Sequence, residues 1–426
     1  MSKVVIAGLG YVGLPLAVRA AEVGHTVIGV DTDARKIEAL RQSASYVEDV
    51  SDQRLDAVIS SGAFIPEHAW STEDETPTAA IGFDLAVITV PTPLKDLTPD
   101  LRYVVAAATS IATVIRRGAA VVLESTTYPG TTEGVLAQAI TSVSGLQPGT
   151  DFHLGFSPER IDPGPTSPYT LENTPKLVSA TTPEGLEVID GFYSTIVETT
   201  VRVSSPRTAE MAKIFENTQA YLNIALSNEL ADICRLLDID VHEMIEAALT
   251  KGHSVARWVP GPGVGGHCLP IDPLYLAWQT KTALGRPFRL AEVAHEINRS
   301  RPEGVVRRAQ ELLNDRGLPA RDSNVVVLGL AYKPDVGDVR ESPALEVVDG
   351  LRGLGARVTV VDPHVQGWTD TPVLSIEDLQ SELSSFDLAI MVTDHSAFDT
   401  DKIGSLATQV LDCRHSFRPR STVVPL

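Results

Sequence analysis

The stretch that decides the fold is Lys3-Val-Val-Ile-Ala-Gly-Leu-Gly-Tyr-Val-Gly-Leu-Pro-Leu-Ala17, together with Thr26-Val-Ile-Gly-Val-Asp31. The apolar run over 3–7 predicts a strand, and the alanine-rich segment 14–23 predicts a helix that Gly24 ends. The second apolar run predicts another strand, which ends at Asp31. A strand, a helix and a strand in this order form the parallel unit of an open sheet.

The turn between the first strand and the helix has the pattern Gly8-x-Gly10-x-x-Gly13. Such glycines let the backbone approach a pyrophosphate, which the N–H groups and dipole of the helix N-terminus attract. Asp31 is placed to accept hydrogen bonds from the adenosine ribose, and its charge would repel a 2′-phosphate. A tight turn without a ligand is the alternative, and this context disfavours it. The sequence therefore predicts NAD, bound by Gly8, Gly10, Tyr11, Val12, Gly13 and Asp31.

Further segments extend the same α/β pattern along the chain. Apolar runs at 84–90 and 119–124 predict buried parallel strands, and residues 205–237 predict a long helix. A second α/β unit begins near Asn324, with strands at 325–331, 357–362 and 386–392 and a helix at 344–354. This unit lacks the full glycine pattern, so we expect it to bind something other than a complete dinucleotide.

The predicted fold class is therefore α/β, with two Rossmann-like doubly wound domains joined by a long central helix and a helical dimerisation domain. The expected boundaries are 1–203 for an NAD-binding domain, 204–315 for the central helical domain and 316–426 for the second Rossmann-like domain.

Composition and charge exclude several classes of protein. The net charge is −20, from 35 Lys and Arg against 55 Asp and Glu, which argues against a nucleic-acid partner. No apolar run is long enough to span a membrane, and the N-terminus has no signal-peptide pattern. The three cysteines are far apart in sequence, so a disulfide framework is not expected. These features predict a cytoplasmic protein.

The segment 259–273 places four glycines and four prolines around His267 and Cys268. Glycine brings backbone close to a ligand and proline restricts the loop, so Cys268 is interpreted as a nucleophile, with His267 and Asp272 as its candidate charged or hydrogen-bonding neighbours. Cys234 and Cys413 are interpreted as structural. Because the sequence has no ligand spacing typical of zinc, no metal is expected.

Four other residues are candidates for the same chemistry. Lys213 and Asn217 are four residues apart on the predicted central helix, so they share a face and can stabilise an oxyanion. A solvated lysine and a surface asparagine are the alternative. Glu159 and Thr126 follow strand-like segments, and we expect both at the carboxyl edge of the sheet, where ligands of such folds bind.

Together these segments resemble the UDP-sugar 6-dehydrogenase family, which includes UDP-glucose, UDP-N-acetylglucosamine and UDP-N-acetylmannosamine dehydrogenases. The resemblance covers essentially the whole chain. Seven ordered motifs carry it: Gly8-Leu-Gly-Tyr-Val-Gly13, Val90-Pro-Thr-Pro93, Glu124-Ser-Thr126, Ser157-Pro-Glu159, Lys213-x-x-x-Asn217, Gly265-Gly-His-Cys268-x-Pro-x-Asp272, and Tyr332-Lys333 with Arg340-Glu-Ser342.

The resemblance implies two successive oxidations of the sugar C6 hydroxymethyl to a carboxylate, through a thiohemiacetal and a thioester on Cys268. Asp272, Lys213 and Asn217 would surround the reacting carbon, Thr126 and Asp272 would hold a water, and Glu159 would assist turnover of the thioester. A nucleotide-diphosphate sugar is the implied substrate and a homodimer through the central helical domain the implied assembly. The remaining implied contacts are Thr92 and Arg340 to the cofactor, and Glu159, Lys213, Asn217, Gly265, Lys333 and Arg257 to the substrate.

The loop that ends in Ile271-Asp272-Pro273 is most similar to the N-acetylhexosamine branch, so a UDP-N-acetylhexosamine is the favoured substrate. UDP-glucose or dTDP-glucose is the alternative. Arg257 is the nearest candidate for the arginine that a partner subunit lends to the sugar site in UDP-glucose enzymes. Two other functions stay open, a single-step β-hydroxyacid dehydrogenase and a non-catalytic NAD-binding redox sensor. Neither of them needs Cys268.

Overall fold

The computed structural model describes residues 1–68, 78–95, 97–161, 168–252, 256–365 and 374–426. The chain divides into two compact units. The N-terminal unit comprises Met1–Glu216 with Thr282–Leu284, and the C-terminal unit comprises Asn217–Lys281 with Gly285–Leu426. Among the described residues, no helix is both long enough and apolar enough to cross a membrane.

The N-terminal unit is built on an eight-stranded sheet with the order β10-β9-β8-β7-β4-β1-β2-β3. Its strands are β1 Lys3–Ala7, β2 Thr26–Asp31, β3 Phe64–His68, β4 Leu85–Ile88, β7 Ala120–Leu123, β8 His153–Phe156, β9 Lys176–Ala180 and β10 Thr200–Arg202. Two short strands, β5 Leu94–Lys95 and β6 Thr98–Pro99, pair separately. Neighbouring strands of the large sheet are parallel except β8 and β9, which are antiparallel.

Helices cover both faces of this sheet, which is why its strands are apolar throughout. Side chains alternate between faces along β1: Val4 and Ile6 belong to one apolar core, and Val5 and Ala7 to another. The helices are α1 Gly13–Glu22, α2 Ala34–Arg41, α3 Asp52–Ser60, α4 Arg102–Ala112, α5 Ala137–Ser144 and α6 Pro183–Tyr193, with shorter helical turns at Thr78–Ala80 and Thr132–Leu136.

The C-terminal unit contains a five-stranded parallel sheet with the order β12-β11-β13-β14-β15. Its strands are β11 Asn324–Leu328, β12 Arg357–Val361, β13 Leu388–Met391, β14 Val410–Asp412 and β15 Val423–Pro425. Its sheet-covering helices are α11 Pro343–Gly353, α12 Ile376–Glu382 and α13 Thr400–Leu406, with a short turn of helix at Leu383–Ser385.

Four helices lie between the two sheets in sequence: α7 Pro206–Leu236, α8 Val241–Leu249, α9 Asp272–Leu284 and α10 Arg289–Asp315. The predicted long central helix is α7, and the Ser205 hydroxyl accepts a hydrogen bond from the Thr208 N–H at its start (3.2 Å). Two largely parallel sheets covered by helices, with a long central helix, confirm the predicted α/β fold class, while the dimerisation stays a prediction. The predicted strands are present, although several end one to three residues earlier than their apolar runs.

The glycine-rich turn after β1 predicts a difference in stability between two matched variants. Gly13→Ala should lower the free energy of unfolding by about 2–3 kcal/mol, because a Cβ there would lie 1.8 Å from the Gly8 carbonyl oxygen. Gly10→Ala should stay within about 0.5 kcal/mol of wild type, because no atom lies within 4 Å of its added Cβ. Urea denaturation measures both, and equal losses would contradict this packing argument.

Candidate active site

The turn between β1 and α1 has the geometry of a dinucleotide cradle. Gly8 has a φ of +97°, and its N–H donates to the Val30 carbonyl (2.8 Å). A Cβ on Gly8 would lie 2.8 Å from the Thr89 carbonyl oxygen, whereas a Cβ on Gly10 would meet no atom within 4 Å. Internal packing therefore requires Gly8, while the space beside Gly10 leaves room for a ligand. Within α1, the Leu14 and Leu16 N–H groups already donate to the Gly10 and Val12 carbonyls, so a pyrophosphate would be attracted by the helix dipole and by the amides of the turn that precedes the helix.

Asp31, the last residue of β2, is 9% exposed, and three donors orient its carboxylate. Oδ2 accepts from the Leu9 N–H (2.8 Å) and lies 3.1 Å from Lys36 Nζ, while Oδ1 accepts from the Asp33 N–H (2.9 Å). A carboxylate has about four acceptor positions, so one stays open for a ribose hydroxyl. The residues present thus fit NAD.

The second α/β unit repeats this turn but uses its acidic residue differently. The Gly329 N–H donates to the Val361 carbonyl (2.8 Å), as Gly8 does to Val30. Asp362 then accepts from the Leu330 N–H (2.7 Å), but its Oδ2 also lies 3.0 Å from Nε2 of the buried His395. The backbone N–H groups of Ala331, His364 and Val365 also donate to Asp362. Together with His395 these donors fill its acceptor positions, which agrees with the expectation that this unit does not hold a complete dinucleotide.

Cys268 is exposed on its loop, in contrast to Cys234 and Cys413, which are buried. Burial raises the pKa of Cys413 to about 12, so this thiol is a poor nucleophile at neutral pH. Burial and the charge of Arg340 lower the pKa of His267. A neutral His267 gives Cys268 a possible hydrogen-bonding neighbour but no positive charge.

The loop that carries Cys268 lies directly on the segment 332–343 of the same unit. The Gly266 N–H donates to the Arg340 carbonyl (3.0 Å). A Cβ on Gly265 would lie 2.7 Å from both the Glu341 carbonyl oxygen and Cβ of Tyr332. Glycine is required here because two stretches of backbone pack against each other.

Asp272 and Asn217 meet next to the cysteine loop. The Asp272 N–H donates to the Cys268 carbonyl (2.9 Å), and Asp272 is 2% exposed at the start of α9. Its Oδ2 accepts a hydrogen bond from the Asn217 side-chain amide. The structure therefore brings together three of the predicted catalytic residues.

Lys213 lies one turn before Asn217 on α7 and is 8% exposed. Within the described part of the chain, its ammonium group makes no hydrogen bond or ion pair. Burying a lysine without a counter-charge is unfavourable, so the position is more typical of a ligand-binding lysine than of a solvated one.

The other predicted site residues are less closely grouped. Thr126 lies just beyond β7 and Glu159 just beyond β8, and both are half-buried. Thr92 is buried, whereas Gly265 and Lys333 are half-buried. Arg340 is exposed and pairs with Asp338 (2.6 Å). Arg257 is exposed and pairs with Glu246 (3.0 Å).

Three family models match the chain in the order of these elements. They are described as the NAD binding domain, the central domain and the UDP binding domain of the UDP-glucose/GDP-mannose dehydrogenase family, and they match residues 2–197, 207–300 and 326–419. The chain belongs to this family.

Individual relatives match over nearly their whole length. An NDP-N-acetyl-D-galactosaminuronic acid dehydrogenase from Ralstonia solanacearum is 34% identical over 424 residues, 96% of this chain and 95% of the relative. A UDP-N-acetyl-D-mannosamine dehydrogenase from Pyrococcus horikoshii is 33% identical over 397 residues, 93% and 90% of the two chains. The solved structure of a P. horikoshii UDP-D-ManNAc dehydrogenase has a TM-score of 0.88 and 31% identity, and covers 99% of this chain and 98% of that one.

Family membership confirms the predicted resemblance, the NAD cofactor and the NAD-dependent dehydrogenase activity on a nucleotide sugar. It favours this activity over the single-step hydroxyacid dehydrogenase and the non-catalytic sensor, the two other functions that the sequence left open.

A buried polar cluster beside Glu159 was missed by the sequence analysis. Lys176 Nζ lies 3.0 Å from Glu124 Oε2 and 3.6 Å from Glu159 Oε2, and the Tyr193 hydroxyl donates to Glu124 Oε1 (2.5 Å). A signal existed for two of these residues, because Glu124 directly follows one apolar run and Lys176 directly precedes another. A charge next to a buried strand needs a partner. Tyr193 gave no signal.

The contacts of Asp31 predict how the enzyme chooses its cofactor. Asp31→Ala should weaken NAD binding by about 10- to 100-fold, the loss expected for hydrogen bonds to a charged group. It should also improve the use of NADP relative to NAD, because Lys36 loses its carboxylate partner and can pair with a 2′-phosphate. Adding Lys36→Gln should reverse that gain in the use of NADP.

Asp33→Asn is the matched control, since it removes a neighbouring charge but keeps an oxygen to cap α2. Kinetics with both cofactors measure the preference. A wild-type enzyme that used NADP as well as NAD would contradict the role of Asp31.

Proposed function

We propose that this protein oxidises the C6 hydroxymethyl of a nucleotide-diphosphate hexose to a carboxylate, with Cys268 as nucleophile, in a four-electron reaction that uses two NAD per sugar. The observation that carries the proposal is the exposed Cys268 on a glycine- and proline-rich loop, next to the hydrogen-bonded pair of Asp272 and Asn217. An alcohol can lose one hydride without a nucleophile. The aldehyde must first become tetrahedral before it can lose another.

In the first oxidation, Lys213 and Asn217 hold the alcohol oxygen, and its proton passes to the water assigned to Thr126 and Asp272 while the hydride leaves the carbon. NAD, when bound, supplies the hydride acceptor. The buried ammonium of Lys213 stabilises negative charge that develops on the oxygen, and the Asn217 amide fixes its position. Because Asp272 accepts a hydrogen bond from this amide, it keeps the Asn217 side chain oriented.

In the second oxidation, the Cys268 thiolate adds to the aldehyde carbon and gives a thiohemiacetal, which becomes a thioester when its hydride leaves. Water then attacks the thioester carbonyl, releases the acid and regenerates the thiol. We assign the orientation of this water to Thr126 and Asp272, and its deprotonation to Glu159.

The favoured substrate is a UDP-N-acetylhexosamine, with UDP-glucose or dTDP-glucose as the alternative. Two relatives whose names specify N-acetylated sugars support this choice. Lys333 and Gly265 are assigned to the substrate, and Thr92 and Arg340 to the cofactor. Arg257 is 62% exposed and would serve best as a residue offered to the sugar site of a partner subunit.

We further propose that residues 1–203 bind NAD, 204–315 supply the cysteine loop and the dimer interface, and 316–426 bind the nucleotide of the sugar. The descriptions of the matching family models support these roles. The proposed cytoplasmic location rests on the sequence alone, in which the three cysteines are widely spaced.

An exposed apolar stripe on α7 supports a homodimer. Large apolar side chains that are 41–82% exposed recur along this helix at Met211, Phe215, Leu226, Ile233 and Leu236, and Leu237 directly follows the last residue of the helix. At about 100° per residue they lie within about 100° of one another, on the face opposite Lys213 and Asn217. A two-fold axis lets the same stripe of a second copy cover it.

The proposed mechanism predicts two NADH per sugar in wild type and almost none in Cys268→Ser. The substitution should lower the overall rate by more than about 10³-fold, because a serine hydroxyl is a poor nucleophile at neutral pH, while the binding of NAD and UDP-sugar stays near wild type. Absorbance of NADH at a limiting concentration of UDP-N-acetylhexosamine measures the stoichiometry, with UDP-glucose and dTDP-glucose assayed in parallel.

Cys234→Ala is the matched control and should keep its activity, because that thiol is buried. Two NADH per sugar from Cys268→Ser at a comparable rate would show that the nucleophile is elsewhere. Turnover of glucose nucleotides alone would contradict only the substrate assignment.

The dimer proposal predicts that Leu226→Asp together with Ile233→Asp yields a monomer. Two charges in the centre of an apolar interface would be buried without partners. Light scattering after size exclusion measures the molar mass, and Val188→Asp is the control because Val188 is an exposed apolar residue outside the stripe, on α6. A dimer that persists in the double variant would exclude this face.

A further inference from the structure

The antiparallel pairing of β9 with β8 places a lysine against a proposed catalytic carboxylate. Phe156 on β8 is opposite Ser179 on β9. Because the strands are antiparallel, continuing this register by three residues brings Glu159 opposite Lys176. Lys176 Nζ accordingly lies 3.6 Å from Glu159 Oε2.

This lysine is shared between two carboxylates of different exposure. Its side chain is 4% exposed, and those of Glu124 and Glu159 are 0% and 15% exposed. Glu124 lies closer to Nζ, at 3.0 Å, and its other oxygen accepts from the Tyr193 hydroxyl. Both oxygens of Glu124 therefore face donors, which oppose the rise in its pKa that burial causes. Only Glu159 keeps part of its side chain accessible.

The charges around Lys176 keep it protonated. Burial lowers the pKa of Lys176, but Glu124 and Glu159 outweigh this effect and raise it above its ordinary value. Burial raises the pKa of Glu124, and the charge of Lys176 opposes this rise. Burial also raises the pKa of Tyr193 well above its ordinary value. The cluster thus holds one lasting positive charge, which two carboxylates compete for.

In the part of the chain that the structure describes, few other charged groups face Glu159. Its Oε1 accepts from the Ile161 N–H. Its neighbour Arg160 is directed elsewhere, since it lies 2.7 Å from Glu216 on α7 and donates to the Pro175 carbonyl (2.8 Å). Among the described residues, Lys176 is therefore the cation that lies against the Glu159 carboxylate.

We infer that Lys176 is a positioning residue that aims Glu159 and holds it as a carboxylate, and that Glu124, fixed by Tyr193, limits this effect by competing for the same ammonium group. The inference rests on the proposed role of Glu159 as the base that deprotonates the hydrolytic water. A base that is ionised at lower pH keeps the enzyme active at lower pH. Glu124 and Lys176 should therefore act on the acid limb of the pH–rate profile in opposite directions.

The test uses the full chain with NAD and UDP-N-acetylmannosamine, or whichever of the glucose nucleotides it turns over. Glu124→Gln should move the acid limb to lower pH by about one unit, because Lys176 then faces Glu159 alone. A double variant that adds Lys176→Gln removes both charges of the Glu124–Lys176 pair, so that neither is left buried without its partner. In this double variant the limb should lie about one unit above wild type.

Lys176→Arg is the conservative control, since it keeps the charge and should leave the limb near its wild-type position. Thermal unfolding of every variant separates these shifts from a loss of folded protein, because a merely structural role for Lys176 would change stability and not the limb. Glu159→Gln separates the inference from the function it rests on. If it leaves the rate and the acid limb unchanged, the role of Glu159 is wrong and the inference falls with it.

If Glu159→Gln removes the limb but Glu124→Gln and the double variant shift it in the same direction or not at all, the proposed function stands and the inference is wrong. The inference is supported if Glu124→Gln and the double variant shift the acid limb in opposite directions while Lys176→Arg leaves it near its wild-type position.

Discussion

The register of the parallel strands in the N-terminal sheet is the constraint on which the rest of that unit depends. Ala7 is opposite Val30 and Ile88, Ile88 is opposite Leu123, and Leu123 is opposite Phe156. Because these strands end level with one another, the turns that follow them start at one edge of the sheet. That edge carries the glycine turn after β1, Asp31, Thr126 and Glu159. A shift of one residue in any pairing would exchange the two faces of that strand and displace its turn.

The N-terminal unit contains two buried lysines, Lys176 and Lys213, in different electrostatic surroundings. Lys176 and Glu124 are enclosed as a pair, and the low dielectric around them makes each strongly dependent on the other. Lys213 is equally buried but makes no ion pair among the described residues. The first arrangement stabilises a fixed geometry, whereas the second leaves the Lys213 ammonium group without a counter-charge among the described residues, which fits its proposed contact with a developing oxyanion. The two lysines therefore illustrate different uses of burial within one unit.

The two α/β units show how one backbone motif can serve two ligands. Gly8 and Gly329 both adopt positive φ, and the N–H of each donates to the carbonyl of the residue directly before an aspartate. Asp31 keeps an acceptor position open, while Asp362 receives His395. The difference lies in the donors around the aspartate, which at Asp362 include His395 from the loop after β13 and additional backbone N–H groups. The fold alone would thus have suggested two dinucleotide sites.

The sequence by itself determined the strand-turn-helix unit, the long central helix, the exposed cysteine loop and the choice of NAD, because each is encoded by local patterns of apolar, glycine and proline residues. It also grouped Lys213 with Asn217, since a helix brings residues four apart onto one face. Only the tertiary structure decided that β9 runs antiparallel to β8, and so placed Lys176 against Glu159 and Glu124. Likewise, only the packed fold placed His395 on Asp362. Such pairs join residues that are 17–52 positions apart in sequence. Their contact depends on strand order and direction, which no local pattern specifies.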